Sequence, residues 1–184
     1  MADPLFLSLW LDGYHAMGLP VYFQKALEVF PFSKLTPGGT LRVYPFSFHE
    51  APQIERSIDD VIDPREVSSL AQEFLHEDVA FQLETKWDLY QWDGDWALKP
   101  SRILIECYGP RFESDQGEHL RIDAGSELLF LPNPKSDQWR PVQSNIRSLL
   151  HLAADLENAL PVAKRQLWSE NDENFAERLQ GMMS

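Results

Sequence analysis

Three short runs place imidazole beside carboxylate: His49-Glu50, His76-Glu77-Asp78 and Glu118-His119. Those side chains are the material of metal sites and of acid–base pairs, so chemistry would first be sought there. Their spacing argues against it. Adjacent residues on one element point apart, and none of the runs has the i, i+4 histidine spacing of a helical zinc site. The expectation is solvated turn chemistry, with His76 at a helix end where the dipole favours a cation. Nucleophilic catalysis has less to work with. Cys107 lies inside the apolar run 103–108, where burial keeps a thiol protonated. No serine sits in a Gly-x-Ser-x-Gly elbow, and His151 falls mid-helix between Leu150 and Leu152. Carboxylates are so abundant that abundance singles out no pair for glycosidase-like work. Gly38-Gly39 lacks the Lys and Ser/Thr of a P-loop, and no Gly-x-Gly-x-x-Gly occurs. The reading therefore names no catalytic residue, no metal and no cofactor, and leans away from an enzyme.

Binding chemistry is better represented. Trp87, Trp92 and Trp96 flank one expected hairpin, with Tyr90 between them and Asp88, Asp93 and Asp95 interleaved. Aromatic bodies set among acids suit contact with a basic protein, a cation or a sugar. The competing reading is that cross-strand aromatic pairs merely stabilise the hairpin. Strand parity puts Trp92 on the face opposite Trp87, so the three cannot all be core by simple alternation. The candidate binding residues are Tyr90, Trp92, Asp93, Asp95 and Trp96. Gly109-Pro110-Arg111-Phe112 adds a lone cation in an acidic loop, expected to pair with Glu113 or Asp115.

Charge narrows the partners. The 184-residue chain carries 29 Asp and Glu against 16 Lys and Arg, a net charge of -13. Residues 49–95 hold thirteen of those acids and only Arg56, Arg65 and Lys86, which makes -10 in a quarter of the chain. Such a belt repels nucleic-acid phosphates and anionic headgroups, so neither nucleic acid nor membrane is an expected partner. A basic protein fits, and so does a homodimer burying the Trp hairpin. The leading expectation is a non-catalytic interaction or inhibitor-like module with an acidic, Trp-bearing surface. The alternative is a small-ligand-binding protein or enzyme with an apolar pocket between the sheet and the C-terminal helix. A pocket lined by Trp10, Tyr14 or Trp139 with a buried histidine would favour the alternative, and a solid core would exclude it.

The elements that must position these residues follow from periodicity. Residues 5–11 read as a buried strand with Leu5, Leu7, Leu9 and Leu11 on one face. Phe23, Ala26, Leu27 and Phe30 carry a helical period stopped by Pro31. Residues 41–48 predict a second strand in which Pro45 marks an edge or a bulge. Asp63-Pro64-Arg65-Glu66 is an N-cap, Pro at the first helical position and a returning Glu. The helix it opens buries Val67, Leu70, Ala71, Phe74 and Leu75 and leaves Arg65, Ser68, Gln72 and Glu73 to solvent. From Val79 the period becomes two, and Asp93-Gly94 predicts a type I′ hairpin returning through residues 96–108. Residues 119–123 and 127–131 read as two further strands, completing a four-stranded meander. Ile146, Leu149, Leu150, Ala153, Leu156 and Leu160 mark a long helix, with Pro161 a kink or break beyond which Val162, Gln166 and Leu167 continue it.

Together these predict one α+β domain over residues 1–184: an antiparallel sheet of about six strands, helices on one face, and a long C-terminal helix. Residues 169–184 are expected to be a frayed tail or a short helix capped by Asn171 or Asp172. The long helix across a curved sheet is similar to helix-grip and TATA-binding-protein-like layouts, and the opening strand–helix–strand unit to ferredoxin-like ones. A lone cysteine, an acid at Asp3 where a secretory leader needs positive charge, and no run of about 18 apolar residues predict a cytoplasmic protein.

Overall fold

The computed structural model describes residues 2–171 and 174–183. Its strands are β1 (Pro4–Leu11), β2 (Gly39–Pro45), β3 (Ile54–Ile58), β4 (Val79–Trp92), β5 (Trp96–Tyr108), β6 (Leu120–Ser126) and β7 (Val162–Trp168). Its helices are α1 (Leu19–Val29), α2 (Pro64–Gln72), α3 (Arg140–Ala159) and α4 (Phe175–Met183). All seven strands join one antiparallel sheet in the order β3-β2-β4-β5-β6-β1-β7. The fold is α+β, and no described helix is long and apolar enough to cross a membrane.

One face of the sheet supplies the core. Leu5, Leu7, Leu9 and Leu11 of β1, Leu41 and Val43 of β2, and Val79, Phe81, Leu83, Trp87 and Leu89 of β4 are all buried. Ile103, Ile105 and Cys107 of β5 and Leu120, Ile122 and Ala124 of β6 continue the same surface. Helices cover it because their apolar stripes match it: Phe23 of α1 meets Phe81 at 5.6 Å between ring centroids, and Val142, Ile146, Leu149 and Leu156 of α3 join the same cluster. The space between sheet and long helix is thus occupied by side chains. The alternative reading places an apolar pocket in this space, where core side chains of α3 and the sheet meet; a hollow of about 190 Å³ remains beside Trp87, Ser148 and Leu152.

The Asp63 cap forms, its carboxylate accepting from the Arg65 amide at 3.0 Å with Pro64 at the first helical position, and Glu66 stands in the first turn. Ser68, expected to face solvent, is buried instead and donates to the Pro20 carbonyl at 2.7 Å, tying α2 to the start of α1. A small hydroxyl that finds a backbone acceptor is tolerated inside a helix–helix contact.

Two expected elements change and one strand is new. Residues 127–131 are not a strand: Glu127–Phe130 form a short 3-10 turn, capped by Ser126 Oγ accepting from the Leu128 amide at 3.2 Å. Val162–Trp168 do not continue the long helix. Leu160 turns extended (φ -126°, ψ 152°), and the chain pairs with β1, burying Leu167 and Trp168. Strand β3 carried no signal, since Glu55, Arg56 and Ser57 are exposed along a short edge. Pro45 ends β2 past the last β2–β3 pair, Val43↔Ile54, so its missing N–H disturbs nothing on that side. In α4, Phe175 and Leu179 are fully buried; the alternative cap Asp172 lies outside the described residues.

Candidate functional site

The hairpin that carries the predicted site is long and braced. Strand β2 follows β4 only as far as Thr85, and β6 follows β5 only from Leu104, so residues 86–102 run on as a two-stranded ribbon. Both flanks are held. On one, Asp88 accepts from the Lys34 and Leu35 amides at 2.9 and 3.3 Å and from Ser33 Oγ, and the Ser33 amide donates to the Lys86 carbonyl at 2.9 Å. On the other, the buried Asn145 amide side chain accepts from the Tyr90 amide at 2.8 Å and donates to the carbonyls of Tyr90 and Leu129 at 2.9 and 2.8 Å. Sequence reasoning missed Asn145; a lone Asn among the apolar positions of α3 was the available signal.

At the tip, Trp92 and Trp96 face each other across the ribbon, ring centroids 5.6 Å apart and inclined edge to face at 64°. The loop between them is the three residues Asp93-Gly94-Asp95, not a two-residue type I′ turn, and only Gly94 has positive φ, at 76°. Three residues need one left-handed position, which Gly94 supplies without strain. Trp96 Nε1 donates to Ser136 Oγ at 2.9 Å, and Asp95 accepts from the Trp96 amide at 2.8 Å. Trp92, Trp96 and Tyr90 are half-buried, while Asp93 and Asp95 are exposed, with Lys99 3.7 Å from Asp93. Trp87 is separate from them, buried in the core against Phe30. The structure thus brings the five candidate residues to one ribbon end.

The sheet face away from the core holds what the sequence did not reveal. One register row crosses all seven strands: Glu55, Arg42, Gln82, Glu106, Arg121, Ser8 and Gln166. Arg42 donates to Glu55 at 2.8 Å, Gln82 Nε2 to Glu106 Oε2 at 2.8 Å, and Arg121 to Glu106 Oε1 at 3.1 Å through Nη2 and to Asp115 at 2.8 Å through Nη1. Glu106 is only 2 % exposed, and the Arg121 guanidinium lies 4.8 Å from the Phe6 ring centroid and 5.7 Å from that of Tyr108. Removing one partner of such a pair strands a buried charge, at a cost of about 3–5 kcal/mol.

A second place gathers polar groups. At the end of the sheet opposite the ribbon tip, the loops after β1, β2 and β5 converge. A hollow of about 380 Å³ opens there, lined by Tyr14, Gly109, Pro110, Phe112, Glu113, Ser114, Gly117, Glu118 and His119. Glu118 and His119 are not solvated turn residues. Glu118 is 2 % exposed, and neither carboxyl oxygen has a hydrogen-bond partner among the described residues. Burial raises its pKa above the ordinary carboxylate value; Arg121 and nearby backbone amides pull it back in part, and Asp115 pushes it further up. His119 Nδ1 accepts from the Leu11 amide at 2.8 Å, which places the ring proton on Nε2, and desolvation lowers its pKa. The Tyr14 ring stacks on His119 at 4.0 Å and donates its hydroxyl to the Tyr108 carbonyl; burial holds that phenol protonated. Cys107, 3.5 Å from the Tyr14 hydroxyl, is fully buried with its thiol pushed up to about 12, consistent with an inert core residue.

Arg111 pairs with Glu77 at 3.1 Å rather than with Glu113 or Asp115, because the Arg111 amide already ties the loop to the Glu77 carbonyl at 2.8 Å. His49, His76 and His151 are exposed. No group of three His, Cys, Asp or Glu able to hold a metal ion occurs among the described residues.

Fold and sites define an α+β protein with a braced acidic aromatic ribbon at one end of its sheet and a polar hollow at the other. No family model matches the chain, and comparisons with curated proteins and with solved structures return no significant match.

Proposed function

We propose that the protein is a non-catalytic interaction module that docks a basic protein partner on the ribbon tip formed by Tyr90, Trp92, Asp93, Asp95 and Trp96. The observation that carries this reading is the contrast along the ribbon. Its stem is hydrogen-bonded from both flanks, whereas its tip presents exposed Asp93 and Asp95 beside half-buried indoles. A pre-ordered tip loses little conformational entropy on binding, and an indole pair supplies the anchor that a contact surface needs. The exposed acids Glu50, Glu55, Asp59, Asp60 and Glu66 add the field that steers a cationic partner to this molecule. The packed core beneath α3 argues against an apolar pocket there, whereas the hollow lined by Tyr14 and His119 has the lining that favours the small-ligand alternative. In its architecture the protein fits a helix-grip-like layout best, in that α3 lies over a seven-stranded antiparallel sheet. The lone Cys107 suits a reducing, cytoplasmic setting.

The test is affinity capture from a source lysate with the wild type and with the Trp92→Ala/Trp96→Ala and Asp93→Asn/Asp95→Asn variants, each checked for native circular dichroism. A basic protein retained by the wild type, weakened by both variants and released by salt supports the proposal. Retention that ignores ionic strength, or that survives both variants, overturns it.

A further inference from the structure

We infer that the hollow at the loop end of the sheet is a second, independent site that binds a small organic cation, an ammonium or guanidinium headgroup, with the Glu118 carboxylate as its counter-ion. The site lies at the far end of the 14-residue β4 from the ribbon tip, roughly 45 Å away at about 3.3 Å per residue, so it is not part of the partner surface.

Three observations carry it. The first is an unmet acceptor. Both oxygens are shielded and neither makes a hydrogen bond of normal geometry, the Glu118 and Gln116 amides acting on the carboxylate only in part; natural interiors retain few such groups. The second is the charge of the walls. Glu113 and Glu118 line the hollow with no Lys or Arg among the lining residues, and His119, whose Nδ1 accepts from the Leu11 amide, has its pKa lowered by desolvation. Arg121 acts on Glu118 electrostatically, but its guanidinium is already engaged by Glu106 and Asp115. The third is shape and strain. A volume of about 380 Å³ lies within the range of small-molecule sites. Beside it, Phe46 is 61 % exposed and is the single non-glycine residue with positive φ, at 61°, among the described residues. That conformation is pinned on both sides, its amide donating to the Asp78 carbonyl at 2.7 Å and its carbonyl accepting from the Glu113 amide at 2.8 Å. Bulky residues held in this region are concentrated at functional sites. Tyr14 and Phe112 supply aromatic wall for a cation's alkyl or planar body.

Neither Glu118 oxygen touches solvent, so the proposed contact requires the Glu118 side chain to move. The charged and titratable groups around it are Arg121, Asp115 and Tyr108 on the sheet side and Glu113 and His119 around the hollow. Binding a cation favours the ionised form of Glu118, so the proton held by the buried carboxyl leaves as the cation enters, and affinity rises with pH until Glu118 is ionised in the free protein.

The experiment is titration of the full chain with n-butylammonium and methylguanidinium chlorides, followed by amide NMR, with n-butanol and acetamide as neutral counterparts. The expected result is saturable shifts at Gly109, Gly117 and His119 from at least one cation and from neither neutral probe. Affinity should fall about tenfold per pH unit where Glu118 is protonated. Glu118→Gln should weaken binding about tenfold or more, the loss of one charge-assisted contact. Equal binding of the neutral probes, an affinity unchanged with pH, or shifts confined to Asp93 and Asp95 would each overturn the assignment. The pH profile of the wild type decides the matter even where the variant fails to fold.

Discussion

Glu118 is the residue at which stability and use are most plainly opposed. Its folded pKa is raised by burial, so the folded state binds this proton more tightly than the unfolded chain does. The stability tied to the group is fully present below the ordinary carboxylate value and is lost as pH rises through the folded value. Glu118→Gln removes the titration while keeping the shape. The variant should therefore be more stable than the wild type at neutral pH, with the advantage shrinking to nothing on acidification. Urea midpoints of the two proteins across the acid range measure this directly; an advantage that stays constant with pH would remove Glu118 as its source. Arg121 shows the opposite economy. Its charge is spent on Glu106, Asp115 and two aromatic faces, so a strongly desolvated cation is matched at every donor that faces a partner.

Among the elements, the β4–β5 hairpin carries the architecture, because its two ends hold the ribbon tip and the hollow that the two proposals rest on. Two glycines at those ends do different work. Gly94 needs freedom at φ 76° but has open space around it, with nothing within 4 Å of an added Cβ. Gly109 needs room: an added Cβ would lie 2.4 Å from the Glu77 carbonyl and 2.8 Å from that of Val79. Gly94→Ala should cost about 1 kcal/mol through backbone strain alone. Gly109→Ala should cost more than that, because backbone rather than a flexible side chain must move, and its damage should reach the hollow. Thermal or denaturant midpoints rank the two; a Gly94 variant that loses more than the Gly109 variant would contradict this account of the two turns.

For the molecule as a whole, the net charge of -13 sets what can approach it. Two copies meeting through their acidic ribbons would repel, so light scattering at low salt should return the 21.3 kDa monomer mass. A doubled mass abolished by Trp92→Ala/Trp96→Ala would instead make the ribbon a homodimer contact and displace the basic partner. The sheet also has two unlike edges. Strand β3 continues the acidic belt with Glu55 and leads into Asp59 and Asp60, while β7 carries Lys164 and Arg165, the latter 3.3 Å from Glu157.

How much of this was legible beforehand depends on whether the signal was local. The Asp63-Pro64 cap, the alternation from Val79, the Leu face of β1 and the helical stripe of α3 are patterns within a few residues of themselves, and hydrophobic burial obeys them directly. The same locality makes the Trp-flanked ribbon readable as a unit. Strand β7 was not readable, because Val162–Trp168 becomes a strand only by pairing with β1, more than 150 residues earlier in the chain. Residues 127–131 failed in the converse way: an apolar run suited to a strand found no neighbour and closed on its own Ser126 cap. The polar row from Glu55 to Gln166 and the hollow around Glu118 belong to this second class. Each residue in them looks like an ordinary surface residue in its own segment, and only the strand order sets Glu106 against Arg121 and the three loop ends against one another. Sequence alone determined where charge would accumulate and which faces of β1, β4 and α3 would be buried, since both follow from pattern over short spans. Tertiary structure alone decided which polar groups would be buried together, since desolvation depends on neighbours that the chain brings from afar.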